Sequence, residues 1–268
     1  MSRLIRRPLI RTLMLGFSLL PVSAVADQCL VAVASNFAGP MNAIEQAFEA
    51  TTPHDVVIAP GSSGKIYAQI VKGAPFDVFF SADQAKPLQL ESQGWIVPGS
   101  RFTYAQGRLV LWSPREKILA DGPAVLGSDR YRKLALANPR LAPYGAAAVE
   151  VLRNLNMADM TRARWVQGEN IAQTFMFVQS GNAELGFIAR SQLIDYESGA
   201  RGEEQGPGSS WQVPAKLHSP IRQDVVLLKR GGDNPCARDL LQFMRSDPAR
   251  RILDEFGYDD EEGYTPWN

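Results

Sequence analysis

Two cysteines and two histidines are all that 268 residues contain. That shortage excludes several classes at once. Two cysteines cannot build a disulfide-dense scaffold or a cysteine-rich structural metal site. A hydrolase would have only His54 and His218 to draw on as a histidine base. No apolar run approaches the ~20 residues that a membrane-spanning helix needs. Charge of one sign is lacking as well, with 28 basic and 28 acidic side chains. No basic patch interleaved with aromatics offers a nucleic-acid surface. There is no fixed-period repeat and no low-complexity block, so a structural or adhesive array finds no support.

What is present begins with an export signal. Arg3, Arg6, Arg7 and Arg11 form a basic start, Leu13 to Leu20 a short apolar core, and Ala24-Val25-Ala26 a small-residue cleavage site. Residues 1–26 are therefore expected to be removed, placing the chain from Asp27 onward in the periplasm. Losing four arginines leaves the mature chain mildly acidic. Export puts Cys29 and Cys236 in an oxidising compartment. A disulfide between them would tie the first strand to the last helical region. The rival use is lipid attachment at Cys29. The charge and bulk of Val25-Ala26-Asp27-Gln28 count against it.

The stretch that draws most attention is Gly61-Ser62-Ser63-Gly64-Lys65. A strand-like run, Asp55 to Ile58, precedes it, and a helix-like run opens at Ile66. Such a turn leaves backbone N–H groups without carbonyl partners at the positive end of a helix. The physical result is a seat for a small anion. Simple helix capping is the bland reading of the same residues. Two sharper readings fail on spelling. A nucleophile elbow needs glycine where Lys65 stands, and a nucleotide P-loop needs serine or threonine where Ile66 stands.

Strand and helix patterns then alternate. Leu30 to Ala34 reads as a strand that stops at Ser35-Asn36, with Asn36 as a candidate N-cap for a helix carrying Met41, Ile44 and Phe48. Phe76 to Phe80, Arg108 to Trp112, Leu134 to Ala137, Glu184 to Ala189 and Asp224 to Leu228 read as further strands. Gly199 to Gly208 reads as an exposed loop, and Asp259 to Glu262 as a solvated tail. This alternation predicts parallel sheets with helices on their faces, arranged as two α/β lobes. Ligands of such sheets sit off the carboxyl ends of the strands, where Ser35 and Ser63 both fall. The strands at Leu109 and Val225 are the candidate crossings between lobes.

Four stretches, taken in order, resemble one family. They are Val31 to Asn36, Gly61 to Lys65, Gly73 to Asp83 and Ala137 to Gly145. Together they look like the periplasmic molybdate-binding proteins of ABC transporters, over nearly the whole mature chain. The resemblance implies an α/β fold of the two-lobed type II periplasmic-binding-protein kind. Each lobe would be a mainly parallel sheet flanked by helices, with two crossings between lobes. Lobe one would comprise 27–108 plus 219–268, and lobe two 109–218. The resemblance further implies a solute-binding protein, not an enzyme, with no cofactor. It would capture molybdate, and tungstate with it, and deliver the ligand as a monomer to a membrane permease. Carried over by motif, the molybdate-binding residues are Ser35, Asn36 and Ser63 in lobe one, with Tyr144 and Ile171 in lobe two. Ile171 would act through its main-chain N–H, and Ser62 would be structural. Ala189 departs from the many relatives that carry a tyrosine there, and Tyr144 fits the branch that uses a Pro-Tyr-Gly turn.

A donor-only site suits a dianion whose oxygens all accept. Hydrogen phosphate brings a proton that such a site leaves unpaired, at roughly 1–3 kcal/mol. Sulfate has no proton and must be rejected by size. The alternatives are a binding protein for another oxyanion such as sulfate, or an exported serine hydrolase. Ferric iron would want several tyrosines and carboxylates, of which only Tyr144 can be placed. Lys65 is expected to face solvent, and His54 and His218 to lie at surface or hinge positions.

Overall fold

Short apolar runs that end in small or polar residues make most of the strands, and most of these stops lead into a helix that lies back on the sheet. In the computed structural model, which describes residues 27–199, 206 and 208–258, these runs form two five-stranded sheets. The export segment and the acidic tail lie outside the described residues, as does most of the glycine-rich loop.

The first sheet contains β1 (Gln28–Ala34), β2 (Asp55–Gly61), β3 (Val78–Phe80), β4 (Phe102–Gly107) and β10 (Ile221–Leu227) in the order β2-β1-β3-β10-β4. The second contains β5 (Leu109–Ser113), β6 (Leu134–Ala137), β7 (Trp165–Gly168), β8 (Leu185–Ala189) and β9 (Ser209–Gln212) in the order β7-β6-β8-β5-β9. The two orders are topologically alike. In the first sheet β1 runs parallel to β2 and β3, while β10 runs against both of its neighbours. In the second, β6 runs parallel to β7 and β8, while β5 runs against both of its neighbours. Each sheet is therefore mainly parallel with one reversed strand.

The reversed strands are the ones that receive the chain from the other lobe. β4 ends at Gly107 and β5 begins at Leu109, in different sheets. β9 ends at Gln212, and β10 begins at Ile221 back in the first sheet. Because β5 and β10 run backwards, both start at the edge where the other strands end. Both crossings thus lie at the carboxyl edges of the sheets, which is where the ligand site of such a fold must form. The expectation that the strands at Leu109 and Val225 themselves cross is corrected: each lies wholly within one sheet, and the crossings are the links before them.

The helices are α1 (Ala38–Glu49), α2 (Ser63–Val71), α3 (Ala85–Ser92), α4 (Pro143–Asn154), α5 (Ala158–Thr161), α6 (Ile171–Gln179), α7 (Arg190–Gly199), α8 (Pro235–Phe243) and α9 (Asp247–Glu255). No helix among the described residues is long and apolar enough to cross a membrane. In α1 the buried Met41, Ile44 and Phe48 recur at helical spacing and pack with Val31, Val33 and Phe80 of the first sheet. Cys29 of β1 and Cys236 of α8 belong to that same core, with Cα atoms 5.6 Å apart, within disulfide range. The second lobe has its own core, centred on Leu109, Leu134, Leu136, Val151, Leu152 and Phe187. Ala34 and Ala82, from the strand ends of the first lobe, join that second core. Small residues at those ends let the lobes approach closely.

Candidate functional site

The register Ala34↔Gly61 sets the carboxyl ends of β1 and β2 side by side. The single 3-10 turn Ser35–Phe37 and the N-terminus of α2 therefore share one corner of the first sheet. Ser35, Asn36, Ser62 and Ser63 are 6%, 2%, 2% and 1% exposed. None of these side chains caps a helix. The N-cap position of α1 is Phe37, which corrects the expectation that Asn36 fills it. Asn36 instead turns its amide inward. Its Nδ2 donates to Gln223 Oε1 at 2.8 Å and to the Tyr258 hydroxyl at 3.1 Å. What Asn36 can offer a ligand is its main-chain N–H.

The two serines of the glycine-serine turn differ. Ser63 Oγ accepts the Ala82 N–H at 2.9 Å. A hydroxyl that accepts there still has a proton to donate. Ser62 Oγ is buried and has no hydrogen-bond partner among the described residues. A buried hydroxyl left in that state costs about 1–3 kcal/mol.

The second lobe contributes two helix starts. Asn170 caps α6, its side chain accepting the Gln173 N–H at 2.9 Å. The N–H groups of Ile171 and Ala172 lie too early in the helix for any intrahelical carbonyl. They sit at its positive end, and α6 packs against the Ser35–Phe37 turn. Tyr144, in the first turn of α4, is 1% exposed. Its hydroxyl accepts from Gln223 Nε2 at 3.4 Å and lies over the Cα of Gly107. Ala189 ends β8, buried, with its N–H given to Gln192 Oε1 at 3.0 Å. Its methyl offers no donor.

Direct bonds join the lobes around this corner. The Gly64 N–H donates to the Leu141 carbonyl at 2.9 Å. Ser191 Oγ donates to the Asn36 carbonyl at 2.9 Å. Lys65 Nζ meets Glu169 Oε1 at 2.8 Å. Lys65 is thus half exposed but paired across the cleft, not simply turned to solvent. The imidazole of His54 contacts Asp239 at 3.1 Å and stacks on Phe48, while His218 lies in the second crossing.

Sequence reasoning missed the layer behind the site. Gln223 and Tyr104 are fully buried, and Tyr258 and Ser191 nearly so. The Tyr258 hydroxyl reaches the Asn36 carbonyl at 3.3 Å and Ser191 Oγ at 3.1 Å. Burial holds the phenols of Tyr104 and Tyr144 well above the usual pKa, and raises that of Tyr258. All three stay neutral. One signal was available: Arg222-Gln223-Asp224, three polar residues in a strand that is otherwise apolar. The corner as a whole presents hydroxyls and helix N-termini. Of the two cations in its motifs, Lys65 is paired with Glu169 and Arg140 is exposed. Such a set can hold an anion by donation alone.

Comparison with known proteins agrees with this chemistry. Residues 29–259 match the bacterial extracellular solute-binding protein family. The chain is 46% identical over 244 residues to the molybdate-binding protein ModA of Azotobacter vinelandii, covering 91% of this chain and 94% of that one. It is 43% identical over 239 residues to ModA of Rhodobacter capsulatus, covering 89% and 91%. The solved structure of the Azotobacter vinelandii periplasmic molybdate-binding protein superposes with a TM-score of 0.81 at 39% identity, covering 87% of this chain and all of that one.

Proposed function

Because the chain belongs to the bacterial extracellular solute-binding proteins, and within them to the ModA molybdate-binding family, we propose that it captures molybdate between its lobes and hands it to an ABC permease. It is a transport component, not an enzyme, and molybdate is its cargo, not a cofactor. Tungstate, nearly equal in size and charge, binds in the same place. The ligand shell in this reading is Ser35, the Asn36 main chain, Ser63, Tyr144 and the Ile171 N–H. The lobes are 27–108 plus 219–268 and 109–218. The protein works as a periplasmic monomer after removal of residues 1–26.

The observation that carries this reading is the buried corner made only of neutral donors and shared by both lobes. An anion there gains bonds from both sides only when the lobes meet. Ligand therefore favours the closed form by its differential affinity. The direct Gly64–Leu141 and Ser191–Asn36 bonds set how close the lobes come. The closed shape is what a permease would distinguish.

A thermal-shift panel of oxyanions tests the reading. Molybdate and tungstate at about a thousand times their dissociation constants should add roughly 4 kcal/mol of stability. Sulfate and phosphate at equal concentration should add little. A sulfate response matching that of molybdate would move the protein to the sulfate alternative.

The same reading includes a Cys29–Cys236 disulfide, supported by the 5.6 Å Cα separation and by export. The bond would close a very long loop between the first strand and α8. Cys29→Ser should then lower stability by roughly 2–4 kcal/mol. Equal Tm values for wild-type protein with and without reductant would rule the bond out.

A further inference from the structure

We propose that Gln223 is a positioning residue for the ligand site, fixing the Tyr144 hydroxyl as a donor toward the anion. The proposal rests on the reading above, in which Tyr144 touches the ligand, and adds the group that decides how it does so.

A tyrosine hydroxyl is ambivalent, since it can donate one proton or accept. A site that admits a fully deprotonated oxyanion and rejects a protonated one needs that ambivalence removed. Gln223 has the geometry to remove it. It lies on β10 just after the second crossing, and is 0% exposed. Its Oε1 accepts from Asn36 Nδ2 at 2.8 Å and from the Tyr104 hydroxyl at 3.1 Å. The donor-only Asn36 Nδ2 on that side identifies it as the carbonyl end of the amide. The Nε2 end then faces Tyr144, 3.4 Å from its hydroxyl oxygen.

An N–H can meet only a lone pair. The Tyr144 oxygen is thus used as an acceptor by Gln223, and its single proton must go elsewhere. The Tyr258 hydroxyl is the protein neighbour that competes for it. Tyr258 already accepts from Asn36 Nδ2 at 3.1 Å and gives its own proton to Ser191 Oγ at 3.1 Å. An anion arriving in the cleft, with several lone pairs and a double charge, outcompetes one neutral hydroxyl. The chain Asn36–Gln223–Tyr144 also crosses from the first lobe to the second. Tyr144 is set in this way only when the lobes meet.

The test is a double-mutant cycle read by titration calorimetry with molybdate. Tyr144→Phe alone should weaken binding roughly tenfold, the loss of one charged hydrogen bond. Gln223→Met keeps the side-chain length and removes the amide. In the wild-type background it should weaken molybdate binding several-fold. In the Tyr144→Phe background the loss should be clearly smaller, because only the Asn36 and Tyr104 bonds to Oε1 are then removed. Gln223→Glu supplies an acceptor where Nε2 stood, so the Tyr144 proton turns from the ligand to the carboxylate. The ratio of phosphate to molybdate dissociation constants should then fall, a change that packing alone would not produce. Equal losses from Gln223→Met in both backgrounds would overturn the positioning role. A Tyr144→Phe variant that binds like wild type would remove Tyr144 from the ligand shell and this proposal with it. Wild-type protein that ignores molybdate would instead reject the function itself.

Discussion

Gly107→Ala should weaken molybdate binding by about a hundredfold or more, although the substitution adds one methyl at a residue that touches no ligand. The expectation comes from what lies over that Cα. A methyl there would overlap the Tyr144 hydroxyl and come within 2.8 Å of Tyr144 Cζ and of Gln223 Nε2. Gly107 does not have positive φ, so alanine brings no backbone strain of its own. The cost is contact alone. Tyr144 is 1% exposed and packed in the second core, so it cannot step aside without opening space elsewhere. Either the hydroxyl leaves its place or the lobes part. The first outcome forfeits a hydrogen bond to charge, roughly 1.5–3 kcal/mol. The second makes ligand pay for closure, which lowers apparent affinity by the fraction of closed protein lost.

A second substitution separates this account from general damage. Tyr144→Phe removes the oxygen that the new methyl would strike. In the Gly107→Ala background it should therefore improve binding, whereas alone it weakens it. The sign reversal is the measurement, made by calorimetry on all four proteins at one temperature. A double variant worse than Gly107→Ala would show that Gly107 matters for some reason other than the tyrosine above it.

The parts of this molecule that were legible in the sequence are those set by local chemistry. The burial of Ser35 and Ser63 at strand ends beside a helix start follows from strands that stop on small polar residues. The lobed α/β plan follows from apolar runs such as Val31 to Ala34 and Leu134 to Ala137, each fully buried. Less legible were elements whose partners decide them. β4, β7 and β9 were missed because Phe102–Gly107, Trp165–Gly168 and Ser209–Gln212 carry polar side chains and lie at sheet edges, where one face or one ladder is open. The reversed direction of β5 and β10 is invisible locally, because a strand's pattern has period two in either direction. Lys65 read as a solvent cation because its partner Glu169 is 104 residues away. The inward turn of Asn36 could not be read either, since Gln223 and Tyr258, which draw it in, lie 187 and 222 residues along the chain.

The adjacent serines of the α2 turn should respond in opposite senses when the ligand is absent. Ser63→Ala should weaken molybdate binding by roughly tenfold to a hundredfold, one charged hydrogen bond lost. It should also lower the stability of the ligand-free protein, because Ala82 N–H loses the oxygen that it meets at 2.9 Å. Ser62→Ala should weaken binding too, yet raise the ligand-free Tm. Its Oγ has no partner among the described residues, so the substitution relieves about 1–3 kcal/mol of unsatisfied burial. Stabilising the free state while weakening the complex is what a hydroxyl does when its partner is the ligand. That result would extend the contact from Ser63 to both serines, where the sequence favoured Ser63 alone. Melts without ligand and titrations with molybdate, run on both variants, give the four numbers required. Unchanged affinity in Ser62→Ala would return that residue to a structural role. Unchanged affinity in Ser63→Ala would leave the first lobe without its side-chain donor at the α2 terminus, and the donor cage would have to be rebuilt around Ser35 and the main chain.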